Sequence, residues 1–204
     1  MPTAAAFGIR SHSGWATLVA ATGSAAQGRV VERRRIALIE AGVPRQPYHA
    51  AEPLPFAKAE ALLGRALASV TCTTGASLAA ALADARDQGL EVRGVGLLTG
   101  SGRPLPSLDK ILQSHALIHA AEGELYREAI RAACQAAKLR VVGIPEKQIR
   151  ERGAAMLRGP EKLQARLLAL GRELGPRWRE DEKHAALAAW AALAAGVQGR
   201  SAEG

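Results

Sequence analysis

The sequence predicts an α/β domain: a mixed five-stranded sheet with helices on both faces. Three observations carry that prediction. The first third holds three short apolar runs separated by turns, and the remainder alternates helical periodicity with short strand-like runs. The 204 residues, 48% of them hydrophobic, suffice for one sizeable core, read as a single domain over residues 1–198. Aromatics are only 3% of the chain, so that core has to be aliphatic and closely packed.

In order along the chain, "AAAFGIR" and "GWATLVAAT" are strands on either side of "SHSG", and "RVVERRRIALI" follows the break at "GSAAQG", giving an antiparallel meander. "GVPRQPYHAAEPLP" is too rich in proline for regular helix and is expected to be a crossover loop. Helical periodicity then runs from Phe56 to about Ser69 and again from about Ser77 to Gln88. "LEVRGVGLLT" is a fourth strand, a long helix spans about Ser107 to Ala137, and "RVVGIP" is a fifth strand. Helices complete the chain, and the tail "GRSAEG", residues 199–204, is expected to be disordered.

The 27 Lys and Arg against 19 Asp and Glu leave a formal +8, which attracts polyanions and makes nucleic acid the expected partner. An arginine- and alanine-rich composition alone accounts for the same charge equally well. Cys72 and Cys134 show no CxxC or zinc-finger spacing, so neither a disulfide framework nor a thiolate metal site is indicated, and a cytoplasmic location fits. No run approaches 18 uninterrupted apolar residues, and no membrane association is expected.

The stretch "SHALIHAAEGELYREAI", residues 114–130, carries the clearest chemistry. A helix turns about 100° per residue, so His115, His119 and Glu122 share a narrow sector, with Tyr126 continuing the line. Imidazoles suit zinc or manganese better than magnesium, and an H-x-x-x-H pair with a carboxylate one turn on is a three-ligand pattern; a divalent metal on His115, His119 and Glu122 is therefore expected. The competing reading is a satisfied polar network without metal. "PRQPYH" gathers Arg45, Tyr48 and His49 in a loop stiffened by prolines, suited to lining a site or to a plain surface turn. Arg103 in "TGSGRP" stands beside a helix start, where an anion can sit. The "ERRR" cluster, Glu32 to Arg35, suits phosphate contact or a solvated sheet edge.

The order βββ, helices, β, α, β, α, together with "DEKHAALAAWAAL" near the end, resembles the ribonuclease H-like superfamily, and within it the Holliday-junction resolvases, over nearly the whole chain. That resemblance implies a metal-dependent nuclease in which Asp181 and His184 occupy the final helix's two metal-binding or acid-base places. It also implies carboxylates on the first strand and near the end of the fourth. This chain instead offers Arg10 and His12 in "FGIRSHSGW", and Thr99 and Ser101 in "LLTGSG".

Two functions stay open from sequence. One is a metal-dependent phosphodiesterase with His119, Glu122, Asp181 and His184 as catalytic candidates and Arg10, His12, Arg45, Tyr48, His49 and Arg103 as nucleic-acid contacts. The other is a ribonuclease H-like module without its acids that only binds nucleic acid or a protein partner.

Overall fold

A computed structural model describes residues 1–201 of the chain. Three N-terminal strands, β1 (Thr3–His12), β2 (Trp15–Thr22) and β3 (Arg29–Ala37), form the expected meander, with β1 and β3 each antiparallel to β2. β4 (Leu90–Thr99) adds to β1 in parallel and β5 (Arg140–Pro145) adds to β4 in parallel, giving the order β3-β2-β1-β4-β5. The mixed five-stranded sheet predicted from the element order is therefore what the chain builds.

The sheet separates two cores. On one face, Phe7, Ile9, Leu18, Val95 and Leu97 pack against two helices, α2 (Phe56–Asp87) and α4 (His115–Ala136). On the other, Val19, Leu98 and Ile144 meet α5 (Ile149–Leu157), α6 (Pro160–Leu174) and α7 (Glu180–Ser201). Strand alternation decides which side each residue serves, so Gly8, Arg10 and His12 face α7 while Phe7 and Ile9 face α2 and α4. The last helix lies almost on the strands: a Cβ at Gly8 would fall on the carbonyl of Ala185, and one at Gly96 on that of Ala188. The run Ala185–Ala189 is buried throughout, and only small side chains permit that approach.

Three sequence expectations are corrected, and a fourth, the tail, falls partly outside the described residues. The two helices expected between Phe56 and Gln88 are one, because Ala66, Val70, Thr74, Leu78, Ala81 and Ala85 form a continuous buried stripe that outweighs the weak helix propensity of the β-branched segment between them. The long helix expected from Ser107 is broken: α3 (Leu108–Leu112) stops at Gln113, Ser114 is extended, and α4 begins at His115. The proline-rich crossover contains a short helix, α1 (Pro47–Ala51), with Pro47 in its first turn, where a missing N–H costs nothing. Of the expected tail, residues 199–201 continue α7, and 202–204 lie outside the described residues.

Helix α2 is long and apolar enough, by length and composition, to cross a membrane, and 28% of that apolar window is buried against the rest of the protein.

Candidate functional site

Glu122 is the anchor from which the histidine cluster is built. The residue is 3% exposed, and its side chain reaches back to α1. The first N–H groups of a helix have no partner within it, and α1 has no capping side chain of its own. Glu122 supplies the cap: Oε1 accepts from the backbone N–H of Tyr48 at 2.7 Å and of His49 at 3.1 Å. The same oxygen lies 3.3 Å from Nδ1 of His49. Burial pushes the Glu122 carboxyl above its ordinary range, and these donors pull it back toward ionisation. One turn on, the hydroxyl of Tyr126 donates to the carbonyl of Arg45 at 2.6 Å, which ties the other end of the same loop to α4. Burial and the nearby Glu122 charge raise the pKa of both Tyr126 and Tyr48, so both remain phenols.

With α1 so held, His49 meets the two histidines of α4. Nε2 of His115 and Nε2 of His119 are 3.0 Å apart, and ring centroids separate His49 from His119 by 4.7 Å and from His115 by 5.5 Å. One ligand nitrogen from each of the three lies within 4.8 Å of the others. Of the expected ligand trio, His115 and His119 lie together with His49, and Glu122 stands behind His49.

The remaining candidates form a second cluster, at the end of β1 on the α7 side. Arg10 pairs with Asp181 and with Glu146, which follows β5 directly. His12 Nε2 is 3.0 Å from Oδ2 of Asp181, and its ring stacks at 4.1 Å on Trp15, whose other side is covered by the Arg35 guanidinium at 4.0 Å. His184 lies one turn beyond Glu180, with Nε2 3.5 Å from Oε2. Burial lowers the His184 pKa, and Arg10 and Arg150 push it the same way. Glu180 is pulled down to about 2, chiefly by its hydrogen bond from Lys183 and also by Arg150. Glu146, Asp181 and Glu180 therefore each have a fixed cationic partner. Among the described residues no hydrogen bond or ion pair links this cluster to Glu122 or the histidine trio.

What they do share is a cavity of about 240 Å3, with His12 and Ser13 on one wall and Gln46, His119 and Glu122 on the other. Arg45 is exposed at its edge beside the β1–β2 turn, and Arg103 is exposed in the loop between β4 and α3. The other basic candidates are engaged: Arg34 donates to Asp84 at 2.7 Å, and Arg33 donates to the carbonyl of Leu174. A larger cavity of about 850 Å3, between Gly94, Val142 and Trp190, contains none of the sequence-predicted site residues. Sequence reasoning missed Glu146, Arg150 and Trp15. The first two follow the carboxyl end of a strand, the place where open α/β sheets bind ligands, and that rule would have marked them.

No protein-family model matches the chain, and no curated protein matches it. Two solved structures from Thermus thermophilus do resemble it: RuvC in complex with a Holliday junction substrate, at 16% identity and a TM-score of 0.52 over 98% of this chain and 97% of that one; and RuvC alone, at 14% identity and a TM-score of 0.54 over 96% of each. The chain has the ribonuclease H-like fold. Toward the end of the first strand, where the sequence resemblance implies a carboxylate, this chain has Arg10 and His12. The Arg10 guanidinium neutralises Asp181 and Glu146, so a shared anionic bridge for two divalent cations is not available there.

Proposed function

We propose that the protein is a metal-dependent phosphodiesterase acting on nucleic acid, with the cavity between the end of β1 and α4 as its reaction site. The observation that supports this most is the cavity's lining: His12, whose side chain pairs with Asp181, borders it together with His119 and Glu122. A metal on the histidine side would activate water, and His12 would be placed to move a proton at an oxygen of the phosphodiester. His119 and Glu122 serve the metal side, and Asp181 orients His12. Arg45, Tyr48, His49 and Arg103 are the further candidates for phosphate and base contacts, and the +8 charge draws a phosphate backbone toward the protein. The free thiols Cys72 and Cys134 suit a reducing cytoplasm. Fold likeness to a junction-bound RuvC adds support for a nucleic-acid substrate.

The ion pairs of Arg10 favour a second reading, a nucleic-acid-binding module without hydrolysis. Untagged protein incubated with labelled branched DNA, duplex DNA and RNA, with zinc, manganese or chelator, separates the two. Metal-dependent cleavage lost in His119→Ala is the expected result. Retention of substrate without cleavage under every metal supports the binding module, and in either case affinity should fall steeply between about 50 and 200 mM salt.

A further inference from the structure

We propose that His49, His115 and His119 form a mononuclear zinc centre with three imidazole ligands, in which Glu122 is not a ligand but the group that fixes His49. The inference deepens the phosphodiesterase reading by placing its metal, yet it stands on its own geometry and is tested without any activity.

Tetrahedral zinc takes imidazole nitrogens at about 2.0–2.1 Å, which puts neighbouring ligand atoms roughly 3.3 Å apart. His115 and His119 already present Nε2 atoms 3.0 Å apart, and the third nitrogen lies within 4.8 Å of both, so closing the set asks for rotation of exposed side chains and no backbone movement. The two α4 histidines are i and i+4 on an exposed face, and such a pair alone makes a weak site. Here the third imidazole comes from a separate element, and that element is held. Glu122 accepts from both backbone N–H groups at the start of α1 and lies 3.3 Å from Nδ1 of His49; with the proton on Nδ1, Nε2 is the metal-facing donor. A carboxylate behind a ligating histidine fixes its tautomer and makes it a better donor, and here the carboxylate is buried and already oriented.

Electrostatics point the same way. His115 starts α4, where the helix field disfavours a cation, but the buried Glu122 carboxyl lies against His49 on the same side of the trio. The donor set is all imidazole, which selects zinc and its later transition-metal neighbours over magnesium or calcium. The Arg10 cluster cannot compete for the ion, since each of its carboxylates is already paired with a guanidinium or ammonium. Three protein ligands leave a fourth position for solvent, and zinc in such a site lowers the pKa of bound water to about 7.

The test uses full-length protein without a polyhistidine tag, stripped by chelator and titrated with zinc by calorimetry and with cobalt by visible absorption. One ion per chain, a tetrahedral cobalt spectrum and a zinc-induced rise in melting temperature are expected. His49→Ala, His115→Ala and His119→Ala should each abolish the cobalt spectrum, and Glu122→Gln should weaken zinc binding by about 10–100-fold. Circular dichroism of each variant checks folding, and His115 and His119 are exposed enough that their loss should leave it intact. Glu146→Ala should leave metal content unchanged. Absence of saturable zinc binding overturns the inference, and so does zinc binding that survives His49→Ala, because the ion would then rest on the helical pair alone. Zinc bound as described in a protein that cleaves no nucleic acid leaves this inference standing and removes only the phosphodiesterase reading.

Discussion

Arg10 on the first strand and Asp181 in the first turn of the last helix form an ion pair across 171 positions of the chain. Both side chains are about one-fifth exposed, and Glu146 meets the same guanidinium from behind β5, so one cation joins three elements at the carboxyl edge of the sheet. An arginine in that position organises carboxylates by fixed charge.

Replacing Arg10 by alanine should therefore leave two carboxylates facing each other without a counter-ion. Exposed pairs contribute about 0–1 kcal/mol and broken buried ones cost about 3–5, so this partly buried network should lose roughly 1–3 kcal/mol. Urea denaturation at pH 7 measures it. A double-mutant cycle with Asp181→Asn that shows no coupling would mean that the two residues are neighbours without being energetic partners.

The close approach of α7 to the sheet makes a sharper prediction about packing. Gly8→Ala puts a methyl group onto the Ala185 carbonyl, and the helix cannot retreat without opening the core around Trp190. A loss above about 3 kcal/mol, or failure to fold, is expected, at or beyond the upper end of the usual overpacking penalty. Gly64→Ala is the control. Gly64 is an exposed position inside α2 with nothing near its missing Cβ, so the change should stabilise by about 0.5–1 kcal/mol. Equal effects from both substitutions would contradict the described contact between α7 and β1.

How much of this was legible in the sequence depends on the range of the interaction concerned. The element order and the N-terminal meander were readable because hairpin and crossover connections are local and their rules few, and the helical sector of His115, His119, Glu122 and Tyr126 was readable because side-chain direction repeats with the turn. Glu122 as the cap of α1 was not: it joins residues 73 or 74 positions apart, and the helix it caps was hidden inside a proline-rich segment. The continuity of α2 was missed for the opposite reason, since local propensity around Val70 to Gly75 argued for a break while tertiary burial of Val70 and Thr74 held the helix together. Grouping Asp181 and His184 with the α4 histidines assumed one site. Strand alternation sends Arg10 and His12 to the α7 side of the sheet, and among the described residues the two clusters meet where His12 borders the cavity.

His184 gives the stability a defined pH dependence. Its pKa is lowered mainly by burial and then by Arg10 and Arg150, against the opposing pull of Glu180 and Glu146. The unfolded chain, with histidine near its ordinary value of about 6.5, binds the proton before the folded one does, so stability is full above that pH and declines as pH falls from there toward the lowered folded value. Glu180 acts lower down: with its pKa near 2 in the fold, its contribution is complete above the ordinary value of 4.5 and is lost as pH falls toward 2. Denaturation midpoints compared between the parent protein and His184→Gln should diverge across the first window only. Parallel curves from pH 7 to 5 would show that His184 titrates the same way folded and unfolded.

The hydroxyl of Tyr126 tests whether the loop before α1 positions His49. It donates to the Arg45 carbonyl at 2.6 Å, one turn along α4 from Glu122, so the segment from Arg45 to His49 is held at both ends by the same helix. Tyr126→Phe removes one end and leaves a carbonyl without its buried donor, at a cost of about 1–3 kcal/mol. The ring itself still fills the core cluster that also holds Ile9 and Ile130, so the protein should fold. With Glu122 still capping Tyr48 and His49, zinc affinity should fall only severalfold, whereas Glu122→Gln, which keeps the shape and removes the charge, should lower affinity more and stability less. Measuring both variants by thermal melting with and without zinc gives the answer. If Tyr126→Phe lowers metal affinity as much as Glu122→Gln does, His49 is placed by the loop as a whole and not by the carboxylate behind its ring.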